Sequence, residues 1–406
     1  MKGNIFAVLL CSLMLLCSCQ NGDKREEVEV EITESTSEVV TENERIDSME
    51  KGYDLPIEEE VKVAAESDCK DRMLQIKEIY TEVDKGNASN KVIGEETAGK
   101  MRLILQESGC PVMVRGFTYN MVNYEGMEKF LKDSLGGRAG EIVTYEIHSD
   151  GGIGRRQFIF DGADMYVLDT NAVWKEENEP GITYTSYTRI KEWKYTTKGY
   201  FEFAYCVPEP PEVSEVVNGN VLIRVKPQEE KNMEIAGKYL LPIGYHGNNL
   251  LCSDWDAEHM DKLDYNGLFQ YLYFVEYREQ PDMDQYIDGV AQEEFERLIM
   301  KYLPVTAEQL RQYASYDAEN QTYACARLGC LNYAPTDFGT SCPEITDIQE
   351  NEDGTVTLTV DAVCEMLGDD AVMSHRLTVS FPEEGGIVYL GNEILESGTG
   401  EMTNQP

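Results

Sequence analysis

Cys252, His375 and Asn392 follow one another along this 406-residue chain in the order nucleophile, base and base-orienting amide. A cysteine hydrolase needs those three groups: the thiolate attacks, the imidazole moves the proton and the amide fixes the ring. Asn248 and Asn249 lie just ahead of the cysteine, where their amides could donate to an oxyanion, and Trp255 follows three residues later. The same residues have plainer readings. His375 opens a strand, Asn392 is a turn residue closing the next one, and a chain with 4 histidines can give such an order by chance. No catalytic residue is assigned from it.

Cys, His, Asn is also the chain order of papain-like peptidases, but the Cys-to-Trp spacing differs here and the signature around the cysteine is missing. A second constellation is "SDWDAEHMDKLDYNG", which holds Asp254, Asp256, Glu258, His259, Asp261 and Asp264. Hard cations take several oxygen ligands, so Asp254, Asp256, Asp261 and Asp264 are candidate metal ligands. The EF-hand pattern fails at its sixth position, where no glycine stands. Acidic residues are also favourable at a helix start without any ion. The reading adopted is a solvated loop, with no metal site assigned and no cofactor expected.

Other chemistries are absent. Gly151-Gly152-Ile153-Gly154 lies between strands, with no helix after it to receive a phosphate, and reads as a hairpin turn. There is no GxSxG elbow and no CxxC, so no nucleophile elbow, zinc ribbon or thioredoxin motif. The run "YNGLFQYLYFVEY" is dense in aromatics, which suit recognition surfaces. On one helix at that density, most belong to a core.

The elements that would position these groups can be read from periodicity. Val61, Ala65, Cys69, Met73, Ile76, Tyr80 and Val83 form one helix face near 58–84, and a second helix near 95–108 ends at Gly109 and Pro111. A short third helix, "YEGMEKFLKDSLGG", leads into "EIVTYEIHSDGGIGRRQFIFDGADMYVLDT", three strands with turns. "GITYTSYTRIKEWKYTTKGYFEFAYCV" adds two more, turning at Lys198-Gly199. Helices followed by a β-meander make an α+β domain, for which a nuclear-transport-factor-like or cystatin-like cone is one form. "VPEPPEVSE" places a domain junction at 207/208. The second domain, 208–397, is helical from about 256 to 314, with the 295, 298, 299, 302 stripe and a capping box from Thr306 to Gln309. It ends in antiparallel strands with Val356, Leu358 and Val360, then Leu377, Val379 and Phe381, facing inward.

The N-terminus states an address. Ile5 to Leu16 is an apolar run of 12 residues, short of the ~20 that cross a bilayer and suited to a signal peptide. Leu16-Cys17-Ser18-Cys19 resembles a bacterial lipobox, and by that resemblance Cys19 receives a diacylglycerol after removal of residues 1–18. Two acyl chains, at about 0.8 kcal/mol per buried CH₂, hold a protein stably on the outer face of the cytoplasmic membrane. Gln20 to Lys62 carries 15 acidic against 5 basic residues. Its composition predicts a disordered tether, assigned to 19–57, with a matching disordered tail at 398–406.

The formal net charge is −40. With no basic stripe to neutralise phosphates, nucleic acid is excluded as a partner and polyanions are disfavoured. The eight cysteines left after the signal and the lipid site (69, 110, 206, 252, 325, 330, 342 and 364) are read as scattered buried thiols. Cys325, Cys330 and Cys342 are the nearest to a disulfide set. "PPEVSEVVNGNVLIRVKP", "GYHGNNLLCSDWD", "LDYNGLFQYLY", "YLPVTAEQLR", "LGCLNYAPTDFGTSCPEIT" and "NEDGTVTLTVDAV" together resemble an uncharacterised family of surface lipoproteins from anaerobic Gram-positive bacteria, over about 199–395. The resemblance implies location and domain extent, and no catalytic residue.

The sequence thus describes a lipid-anchored, extracytoplasmic α+β protein acting as a binding module for an unknown protein, peptide or glycan. A cysteine hydrolase using Cys252 and a structural subunit of an envelope complex are the alternatives. Replacing Cys19 with Ala should shift the protein from membrane to soluble fractions or leave it unprocessed, whereas Cys17→Ala should change little. Fractionation and immunoblotting of both variants read the difference, and equal effects would remove the assignment.

Overall fold

The computed structural model describes residues 48–83, 92–116, 119–325 and 339–395. The signal, Cys19 and most of the acidic segment fall outside these residues. The chain is α+β, with N-terminal helices, one large sheet and a later mixed helical and β region.

The first helix, α1 (Glu59–Glu82), buries Ala65, Cys69, Met73, Ile76 and Tyr80, the stripe read from its spacing. Val61, 49% exposed, and Val83, half-buried just past the helix end, fall outside the buried part of the stripe. Helix α2 (Glu95–Gln106) and helix α3 (Tyr124–Leu135) follow, separated by β1 (Val112–Val114). The meander is β2 (Gly140–Ile147), β3 (Ile153–Phe160), β4 (Met165–Trp174), β5 (Pro180–Tyr195) and β6 (Tyr200–Tyr205). Strand β7 (Asn220–Arg224) pairs with β6, so the sheet continues beyond the proline-rich segment at 208–211. The seven strands lie in sequence order. β1 is parallel to β2 and every other pair is antiparallel.

Both faces of this sheet are covered. On one, Cys69, Met73, Ile76 and Tyr80 of α1 meet Tyr145, Ile147, Ile153 and Ala172. There Asp68 accepts from Tyr145 Oη at 2.7 Å and Arg155 Nε at 2.8 Å, so the helix is held by polar bonds as well as by packing. On the other, Met127, Phe130 and Leu131 of α3 pack on Phe158, Phe160, Val167, Phe201 and Phe203. Two apolar layers explain why β3 buries residues of both parities.

The chain expected to remain a tether through residue 57 is docked in its last part. Leu55 N–H donates to Tyr187 O at 3.0 Å, Arg189 N–H donates to Gly52 O at 2.7 Å, and Leu55 is 5% exposed. Composition misses this because two backbone bonds and one apolar side chain suffice to hold the segment on β5.

The second half begins with α4 (Glu230–Ile235), running into a π-helical turn at Ala236–Leu240. Helices α5 (Tyr265–Tyr277), α6 (Gln292–Tyr302) and α7 (Ala307–Tyr313) come next. Short strands β8 (Val290–Ala291), β9 (Tyr316–Asp317) and β10 (Thr322–Tyr323) form a small sheet. Thr306 and Gln309 form the capping box at α7, and Phe295, Leu298, Ile299 and Tyr302 are all buried. Strands β11 (Cys342–Glu350), β12 (Val356–Cys364), β13 (Asp369–Ser380) and β14 (Val388–Leu395) form an antiparallel sheet. Its Leu358, Val360, Leu377 and Val379 are fully buried against the helices. Phe381 lies past the end of β13 and is 38% exposed, so the inward alternation stops at Val379.

The two large sheets meet at β6 and β7. Tyr200, Leu222 and Val363 form the apolar contact. Around it, Glu344 accepts from Tyr200 Oη and from Arg224 Nη1 at 2.5 Å, while Lys198 Nζ lies 2.7 Å from Asp361 Oδ2 and 3.7 Å from Glu344. Burial, with Glu344 beside it, keeps the Tyr200 hydroxyl protonated far above its ordinary range, so it donates. Two cations and two carboxylates balance at this contact. Removing one partner of such a buried pair leaves an uncompensated charge, typically ~3–5 kcal/mol. Arg224→Met should therefore destabilise by about 3 kcal/mol in urea unfolding. Arg224→Met with Glu344→Met should recover most of that loss.

Candidate functional site

Polar residues on the α3-side face of the first sheet occupy positions that continue its apolar pattern. Residues directly opposed in an antiparallel pair share a face. Thr144 of β2 opposes Arg156 of β3, which opposes Asp169 of β4. Phe158 and Val167 are the next opposed pair along, and belong to the core. The sheet face thus changes from apolar to charged within one alternation.

Arg156 is held from two sides, its Nη1 2.7 Å from Glu146 Oε2 and its Nε 3.2 Å from Asp169 Oδ1. Tyr205 Oη donates to Asp169 Oδ2 at 2.8 Å. Burial opposes the Arg156 charge, but Glu146, Tyr205 and Asp169 more than reverse that, so it stays a fixed cation. The two carboxylates diverge. Burial would raise Glu146, yet Arg156, with His148 and Arg115 beyond, holds it below the ordinary range. Burial raises Asp169 above its ordinary value, only partly offset by Arg156 and Tyr205. His148 is pushed down by burial and is neutral at pH 7. A Cβ on Gly154 would meet His148 Nε2 at 2.9 Å, so the glycine gives the ring its room.

The cluster is set back from the surface: Arg156 keeps 22%, Asp169 15% and Glu146 10% of its side chain exposed, beside a far more exposed Tyr184. Tyr184 of β5 keeps 54% of its surface exposed although burial raises its hydroxyl, with Asp169 adding to the rise. Glu365, exposed on the β12–β13 turn, is also raised by the protein around it, within electrostatic reach of Arg115, Glu146 and Arg156. Asn218 Nδ2 donates to Met366 O at 2.8 Å and ties that turn to the start of β7. Arg115 is exposed on the rim, and Asn171, opposite Tyr184, has a buried Oδ1 with no hydrogen-bond donor. The recess offers a fixed cation, two acceptor carboxylates, hydroxyls and an open aromatic face. None of these residues stands out in the sequence. The available signal was polar residues in phase with an apolar alternation, at 146, 156 and 169.

His375 and Asn392 do come together. His375 Nδ1 lies 2.6 Å from Asn392 Oδ1, and Asn392 Nδ2 donates to Ser253 O at 2.9 Å. That orientation makes Nδ1 the donor and leaves Nε2 to accept from Tyr245 Oη at 2.9 Å. The imidazole therefore has both nitrogens occupied, and its second partner is a tyrosine rather than a thiol. Cys252 Sγ instead faces Asn248 O at 3.6 Å, and burial pushes the thiol up to about 11. The side chains of Asn248 and Asn249 donate to Ile243 O and Lys262 O.

The acidic segment is used locally. Asp254 accepts from Ile394 N–H, Asp256 from Glu258 and His259, and Asp264 caps α5 through Gly267 N–H. Among the described residues, the carboxylates that converge are Glu202, Asp369 and Asp370, not Asp254, Asp256, Asp261 and Asp264. The aromatic run is mostly core, with Tyr265, Phe269 and Leu272 buried and Tyr277 38% exposed. Cys69, Cys110, Cys206 and Cys252 are free thiols, and Cys330 lies outside the described residues.

Fully buried His375 is held neutral by burial, its value pulled down to about 4, while the unfolded ring stays near 6.5. Between those limits the unfolded state binds the extra proton. Stability from this residue is complete above pH ~6.5 and falls by about 3 kcal/mol as pH drops toward 4. Urea unfolding at pH 7 and pH 4.5 should show a steeper acid loss in the natural chain than in His375→Gln. Equal slopes would contradict the buried neutral ring.

No curated protein and no solved structure matches the chain. A family model does, over residues 62–405. The chain belongs to the family of unknown function DUF6070.

Proposed function

We propose that the protein is a lipid-anchored, extracytoplasmic binding module that takes a neutral, hydroxyl-rich ligand, such as an envelope glycan, in the Arg156 recess. The lipobox at Cys19 and the acidic segment after it support the location, and the charge of −40 disfavours anionic ligands. The observation that carries the reading is the recess itself. Arg156, Glu146 and Asp169 hold one another in place, so they meet a ligand with little further ordering. Tyr184 offers an exposed ring beside them, and aromatic faces with a few fixed polar groups suit sugar rings.

The cysteine-hydrolase alternative has less support, because the imidazole that Cys252 would need is occupied by Tyr245. A structural role in an envelope complex would leave the recess without a small ligand. Titration calorimetry with soluble oligosaccharides of the envelope, neutral and acidic, separates these readings. A neutral oligosaccharide should bind, and Tyr184→Ala and Asp169→Asn should each weaken it at least tenfold, about 1.4 kcal/mol, without changing the fold by circular dichroism. Binding unaffected by either variant would place the ligand elsewhere. Absence of binding across the panel would remove the glycan reading.

A further inference from the structure

A different cluster lies where the two large sheets meet. Glu202 on β6 and Asp369 and Asp370 at the start of β13 bring one carboxylate oxygen each to within 4.8 Å of one another. Each side chain is already anchored through one oxygen. Glu202 Oε2 takes Lys194 Nζ at 2.5 Å, Asp369 Oδ1 takes Ala371 N–H at 2.9 Å, and Asp370 Oδ2 takes Thr196 Oγ1 at 2.7 Å. The remaining oxygens have no hydrogen-bond partner among the described residues. For Glu202 that is a severe condition, because its side chain is 5% exposed and Oε1 is buried without a donor. A buried charged oxygen left unpaired costs several kcal/mol, so such an atom calls for a partner.

The surrounding charges do not supply one. Lys198 and Arg224 are matched by Asp361 and Glu344 in the neighbouring contact. Lys198 Nζ also donates to the backbone O of Asp370, but among the described residues Lys194 is the one cation paired with a carboxylate oxygen of the three, which leaves them two positive charges short. We infer that Glu202, Asp369 and Asp370 form a calcium site joining β6 to β13. Calcium takes oxygen ligands at ~2.3–2.6 Å, so ligands on opposite sides of the ion stand up to about 5 Å apart, matching this spacing. Magnesium, at ~2.1 Å, requires them to close further and sheds its water reluctantly. Thr196 and the Ala371 N–H fix Asp370 and Asp369 from outside, as supporting partners do in metal sites. Bound there, the ion ties the first sheet to the second beside Glu344.

The test uses the folded chain after chelator treatment, with calcium chloride, magnesium chloride and sodium chloride at matched ionic strength. Calcium should raise the melting temperature by several degrees at 10 mM, with dissociation in the 10⁻⁴–10⁻³ M range of extracellular modules. Asp369→Asn with Asp370→Asn should abolish the calcium-specific part of the shift. Lys194→Met removes the competing cation and should enlarge the calcium shift, a response that loss of packing alone would not give. If the double variant cannot be folded, Lys194→Met and terbium luminescence displaced by calcium give the same decision. A calcium response equal to sodium chloride, or one unchanged in the double variant, overturns the site. So does finding Glu202 protonated at pH 7 in calcium-free and calcium-loaded protein alike.

Discussion

The relation between the two halves of the molecule depends on the burial of one carboxylate. Glu344 is 5% exposed, and transferring such a charge out of water costs several kcal/mol unless hydrogen bonds and opposite charge replace the lost hydration. Arg224 from β7, Lys198 from the β5–β6 turn and the protonated Tyr200 from β6 supply that replacement. All three come from the first sheet, whereas Glu344 lies on β11 of the second. Neither half can separate without stranding charge on both sides.

Strand β6 carries two assignments on its two faces. Phe201 and Phe203 enter the core under α3, and Tyr200 and Glu202 face the second sheet. Its last residue, Tyr205, reaches Asp169. One six-residue strand therefore contributes to an apolar core, an inter-sheet contact and the candidate recess. In that recess the cation does more than neutralise. Arg156 holds Glu146 below the ordinary carboxylate range, whereas burial raises Asp169 in spite of Arg156 and Tyr205.

Much of the fold was legible from local patterns. The Ala65 to Tyr80 stripe, the five-stranded meander and the Thr306–Gln309 box each depend on neighbours within a few residues. Elements set by tertiary partners were not legible. β1 has three residues and exists through Tyr145 to Ile147 beside it, and β7 follows a proline-rich stretch that masks its pairing with β6. Phe381 continues an alternation that its strand does not. The recess was harder still, because Glu146, Arg156 and Asp169 meet only once the register of three strands is fixed. Chain order did bring His375 to Asn392, but it gave no sign that Tyr245 would stand at the other nitrogen.

The short docked stretch before α1 has a mechanical consequence. Gly52 and Leu55 are fastened to β5, and Glu212 adds Lys51 Nζ at 3.3 Å and Tyr53 Oη at 2.5 Å. Tension entering through the chain ahead of residue 48 meets this fastening before it reaches the first turn of α1. Helix ends fray easily, so a load applied there directly would begin to unravel α1 from the sheet. The docked stretch works as a strain relief, like the clamp that keeps a pulled cable from tearing its joint. Drag on the N-terminal segment is thereby delivered to a sixteen-residue strand in the middle of the sheet, the part of the first half best able to bear it.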